Sequence, residues 1–200
     1  MTATHPQYTY PIEVIWKHPK RLYALVTLVL LCLAPNCNHH GHARTAESEC
    51  VDNLKSLFTA VRAFYPPREQ RQQLTLFTAG FSPERGNRYA YFLGAGPMED
   101  RSGLEPVRVD GEMGIGVDLF KFKDARPVTL QDLPSALAEQ VGILGTCPGC
   151  DFIAACAGDI DNNPYDSLDV WSVSSKDRVI DGVSVIAGEP YHHVNDRTSN

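Results

Sequence analysis

"RTAESECVDNLKSLFTAVRAFYPP", residues 44–67, decides how this chain folds. Cys50, Leu54, Leu57, Phe58, Val61, Phe64 and Tyr65 fall at helical spacing, while Lys55 and Arg62 lie off that stripe. The spacing predicts an amphipathic helix of about five to six turns, from Arg44 to Tyr65, whose apolar side must be covered by the rest of the chain. Pro66 and Pro67 stop it, because neither has an amide hydrogen and the first also restricts Tyr65.

Downstream of the helix the chain reads as short strands. Arg88–Leu93 carries an aromatic-rich alternation, and Ile115–Phe122 ("IGVDLFKF"), Phe152–Ala157 ("FIAACA") and Asp169–Val173 ("DVWSV") are rich in strand formers. Between them "TLQDLPSALAEQVG", from Thr129, reads as a short helix or turn interrupted by Pro134. One long helix followed by strands at hairpin-like spacing predicts an α+β fold with an antiparallel sheet packed on the helix. The end of the chain, 189–200, is polar and is expected to fray.

Upstream, the basic "WKHPKR" precedes "LYALVTLVLLCLA", residues 22–34, thirteen uncharged and mostly aliphatic positions. That run is short for a spanning helix of about 20 residues, so a secretory signal with a small-residue exit near Ala43 competes with a retained anchor. In either case Lys17, Lys20 and Arg21 stay on the cytoplasmic side and everything from about residue 36 is exported. The expected organisation is therefore 1–43 as basic stretch, hydrophobic signal or anchor and His-rich linker; 44–188 as a globular domain; and 189–200 as a tail. The histidines of the linker (His39, His40, His42) and of the tail (His192, His193) read as solvated side chains.

With 200 residues, 43% hydrophobic and 21% charged, the chain has enough apolar material for one core. Its formal charge of −6 argues against a nucleic-acid partner, which needs a basic face. No phosphate loop, dinucleotide fingerprint or Gly-x-Ser-x-Gly is present, so neither a small-molecule substrate nor an enzyme is expected.

Two groups of residues carry further chemistry. In "GDIDNNPYDSLDVW", 158–171, Asp159, Asp161 and Asn163 alternate like the opening of an oxygen-ligand calcium loop, with Asp166 and Asp169 as later ligands. Pro164 at its sixth position and Val170 at its twelfth exclude an EF-hand, and a solvated turn whose Asp and Asn side chains satisfy local amides is the competing reading. Among the cysteines, Cys147 and Cys150 flank the turn dipeptide Pro148-Gly149, which suits a disulfide-closed turn better than a redox pair. Cys50, on the helix stripe, and Cys156, inside a strand, both face the expected core, either as a bridge or as two buried thiols.

The segments "ARTAESECVDNLKSLFTAVRAFY", "GFSPERGNRYAYFL" and "AACAGDIDNNPYDSLDVWSVSS" resemble bacterial type IV pilin-like proteins, the pilins and pseudopilins of filament and secretion machines. The resemblance covers most of residues 43–174 and implies an N-terminal helix packed on a roughly four-stranded antiparallel sheet, with membrane insertion through residues 22–34 where these are kept. It implies a structural or assembly role in the cell envelope, through protein partners, and, as in some pseudopilins, calcium in the C-terminal loop. "LAPN", 33–36, looks like the break after the family's hydrophobic half-helix. Counting back from Pro35 puts mature position one near Val14, where "IWKHPKR" stands in place of the family's apolar start. That departure makes a non-polymerising secreted or membrane-tethered binding module the alternative expectation.

Overall fold

The computed structural model describes residues 40–64, 73–146, 149–163 and 167–196, with side chains from Glu47 onward. The expectations for residues 22–34, Val14, Pro66–Pro67, Cys147 and Asp166 lie outside the described residues. Among the described residues, no helix is long and apolar enough to cross a membrane.

Helix α1, His40–Ala63, carries the stripe that the sequence predicts: Cys50, Leu54, Leu57 and Val61 are 0–4% exposed. It begins a turn earlier than expected, so His40–Ala43 is helical and the linker reading does not hold there. The strands are β1 (Ala90–Phe92), β2 (Met98–Glu99), β3 (Gly114–Ile115), β4 (Gly142–Leu144), β5 (Asp151–Gly158), β6 (Asp169–Ser174), β7 (Arg178–Ile180), β8 (Val183–Val185) and β9 (Tyr191–Val194). A 3-10 turn, Leu130–Asp132, and the one-turn α2, Ser135–Ala138, fill the segment before β4, and Pro134 stands between them as the cap of α2.

The main sheet runs β2-β3-β1-β5-β6-β9, with β4 also paired to β5. It has seven strands among the described residues rather than about four, and every pairing is antiparallel except the two-residue β2–β3 contact. β6 occupies one edge of β5, so β1 (against Ala155–Ala157) and β4 (against Asp151–Ile153) share the other edge end to end. β7 and β8 form a separate hairpin. The run expected as a strand from Ile115 to Phe122 pairs only at Gly114–Ile115. Beyond it the chain turns at Asp118, whose carbonyl accepts the amides of Lys121 and Phe122.

The sheet is covered on both faces. Tyr89, Tyr91, Leu93, Phe152, Ala154, Cys156 and Val173 point to the side of α1. The alternate positions Ala90, Phe92, Ala155, Ala157 and Val170 pack against Val117, Val128, Leu133, Leu137 and Val141. Double burial explains why "FIAACA" is continuously apolar rather than alternating. The irregular 117–141 segment closes this second face.

The chain end is a further correction. Residues 191–194 are not frayed but form β9, the sheet-edge strand paired to β6.

Candidate functional site

The seam between α1 and the sheet is where the structure concentrates its specific chemistry. Cys50 and Cys156 form a disulfide across it, with Cα atoms 6.3 Å apart and a sequence separation of 106. One turn of α1 adds polar ties. Glu49 accepts the Arg88 amide (3.1 and 3.2 Å) and the Tyr91 hydroxyl (3.0 Å), while Asn53 Nδ2 donates to the same hydroxyl at 2.7 Å. Burial pushes the Glu49 carboxyl up, against the pull of the Arg88 amide and the Tyr91 hydroxyl.

The second tyrosine of this alternation, Tyr89, reaches Asp169, which is fully buried. The Asp169 carboxylate accepts from Tyr89 Oη (2.6 Å) and Trp171 Nε1 (2.7 Å), and His192 Nε2 lies 2.6 Å from its other oxygen. Burial first, and then the Asp169 charge, push the Tyr89 hydroxyl far up, so it stays a donor. His192 also stacks on Trp171, ring centroids 3.9 Å apart and nearly parallel at 7°. His193, the next residue, places Nε2 2.7 Å from the Ser172 hydroxyl, and burial, followed by the Arg178 charge, lowers its pKa. Both histidines thus pin β9 to β6, which corrects their reading as solvated tail residues.

Asp169 was one of the residues expected in a calcium loop. Among the described residues, the carboxylates that gather at the 158–163 loop, with ligand atoms within 4.8 Å of one another, are Asp159, Asp161 and Asp196. Asp196, 1% exposed, accepts the amides of Ile160 (2.8 Å) and Asp161 (3.4 Å), and Asp161 in turn accepts the Asn163 amide at 2.8 Å. Loop amides are therefore satisfied by carboxylates, one of them from a chain end that sequence reasoning set aside. Only the β-forming "YHHV" just before it signals that this end folds back. Gly158, where the loop begins, is a close-approach position: a Cβ there would lie 2.7 Å from the Arg88 carbonyl oxygen. Cys150 is buried and disulfide-bonded.

A third cluster, which the sequence did not announce, holds the loops beyond β2 and β3. Arg101, 2% exposed, donates to Glu99 (2.6 Å), Asn87 Oδ1 (2.7 Å) and the Pro83 carbonyl (3.0 Å). Asp118 accepts from Arg85 Nε (2.6 Å), Arg85 Nη2 (2.9 Å) and the amides of Gly86 (2.7 Å) and Lys121 (3.1 Å). These partners, Arg85 foremost, hold its carboxyl down at about 2.

Each of these groups ties one segment to another: α1 to β1, β6 to β9, a loop to a loop. The class this defines is a structural head, a helix-backed sheet locked by a disulfide and by buried charge. Comparison with known proteins gives the same class a narrower form. The family model for the type IV pilin PilA matches residues 41–167. The chain is also 31% identical over 175 residues to the type IV major pilin protein PilA of Myxococcus xanthus (strain DK1622), covering 77% of this chain and 78% of that protein. The chain belongs to the type IV pilin PilA family.

Proposed function

We propose that this protein is an exported building unit of a cell-envelope filament, held in the inner membrane by residues 22–34 until assembly and working through contacts with other pilin subunits. The observation that carries this reading is the locked seam. A subunit in a filament bears load along its helix, and here α1 is fixed to the centre of the sheet by a covalent bond and by Glu49 and Asn53. The relative's name, a major pilin, supports a filament role over a part in a secretion apparatus.

The test is the N-terminus of the native protein, read together with electron microscopy of cells lacking the gene. A mature start near Val14 and loss of surface filaments, restored by the wild-type gene, are expected. A start near Arg44 with filaments intact would make the chain a secreted module instead.

A further inference from the structure

Between segment 73–80 and the loop 100–112 lies a cavity of 380 Å³, lined among others by Thr75, Phe77, Thr78, Arg108, Val109 and Glu112. The loop is closed on itself by an antiparallel bridge in which Asp100 and Val107 exchange amide hydrogen bonds of 2.9 and 2.8 Å. Glu112 sits where this loop returns to the sheet. Its backbone carbonyl accepts the Leu76 amide at 3.3 Å, and its side chain is 2% exposed. Oxygen Oε2 of that side chain is buried without a hydrogen-bond partner among the described residues.

A buried carboxylate left in that state is unfavourable; a neutral carboxyl is far less so. The charges around it explain why no cation comes to its aid. Glu99 in β2, itself 1% exposed, takes both nearby guanidiniums, Arg101 Nε at 2.6 Å and Arg108 Nε at 3.2 Å. Glu112 therefore faces one like charge and two cations already engaged with it. The 73–80 segment adds Gln73, Thr75, Phe77 and Thr78 to the cavity wall and no titratable group; Asp110, on the loop itself, is exposed.

The two arginines differ in freedom. Arg101 is 2% exposed and bound on several sides, whereas Arg108 is 42% exposed and rests its guanidinium 4.4 Å over the Phe77 ring. Arg108 is thus the cation that can move, and where it rests it spans the two walls of the cavity.

We propose that Glu112 is a proton-operated latch on this loop: neutral, it lies under the closed loop, and on losing its proton it draws Arg108 away from Phe77 and Glu99 and opens the cavity. Burial first, and then the Glu99 charge, raise the pKa of Glu112 against the pull of the Val109 amide, so the closed loop keeps the proton to higher pH than the open one. The direction follows from linkage. A carboxyl whose folded pKa is raised favours the closed state while protonated, and this preference is lost as pH rises through the folded value.

Hydrogen exchange of the full chain, followed at amides 104–112 from about pH 5 to about pH 8 and corrected for intrinsic rates, tests the latch. Opening is expected to rise by up to about tenfold per pH unit while the closed loop still holds the proton that the open loop has lost, and to level off once Glu112 ionises in the closed loop as well. Glu112→Gln, the same shape without the charge, should hold exchange at its low-pH level throughout. Arg108→Ala should make it fast at every pH. A wild-type profile that is flat after correction would overturn the proposal, as would one that survives unchanged in Glu112→Gln.

Discussion

The two faces of the central sheet are built by opposite means. One is covered by a regular helix that presents Cys50, Leu54, Leu57 and Val61 at 3.6-residue spacing and is fixed by a covalent bond. The other is covered by 117–141, a run of turns holding one 3-10 turn and one helical turn, which presents Val128, Leu133, Leu137 and Val141 at no single period. Both covers bury comparable side chains, so the difference lies in how much backbone each holds in place. A regular helix satisfies its own amides and carries its stripe as a rigid row, whereas an irregular cover depends on each anchor in turn. The helix face should therefore be the more stable and the less forgiving of change.

The largest expected effect comes from opening the disulfide. Cross-linking residues 106 apart stabilises by about 4 to 5 kcal/mol in the chain-entropy model, so the Cys50→Ala/Cys156→Ala double variant should lose most of that in urea unfolding. Next come the two covers themselves. Leu54→Ala, fully buried against rigid neighbours, should cost about 3 to 4 kcal/mol, while Leu137→Ala, on a segment that can settle into the space, should cost about 2. Equal losses would mean that both covers are equally rigid.

Smaller effects come from charge. Asp118 is held at about 2, below its ordinary 3.8, and contributes about 2 kcal/mol that is fully present above the unfolded value and lost as pH falls through about 2. Asp118→Asn should remove that acid dependence, measured as unfolding free energy against pH. The smallest effect is at the sheet edge. His193 has a lowered pKa, so its contribution is lost as pH falls below about 6.5, its unfolded value, towards the folded one. His193→Gln should flatten that part of the stability curve by about 1 kcal/mol or less, leaving the Trp171–His192 stack, seen in near-ultraviolet circular dichroism, unchanged.

The same contrast between the two covers separates what was legible in the sequence from what was not. The helix stripe, the cores of β5 and β6, and the co-facing of Cys50 and Cys156 were readable because a single period or a continuous apolar run signals each. Of the second cover only the short helical turns around Pro134 were readable; that 117–141 as a whole closes the other face was not, since a run of turns leaves no continuous periodicity to detect. Short strands such as β2, β3 and β4, two or three residues each, pair because β3, β1 and β5 respectively offer them an edge, not through their own propensity. The tail misled for a related reason: "YHHVND" is polar by composition, yet its histidines and Asp196 are polar partners that buried groups elsewhere require. The acidic loop was recognisable as a feature, but not that Asp196 of that tail, among the described residues, lies beside Asp159 and Asp161.

The whole architecture depends on α1 being fastened to the middle of the sheet. Non-reducing peptide mapping of the native protein, with free thiols blocked before digestion, is the direct test. A linked pair of peptides, one carrying Cys50 and the other Cys156, is expected and should separate on reduction. Recovery of both cysteines as blocked thiols, or linked to other partners, would mean that the helix is not fastened in this way.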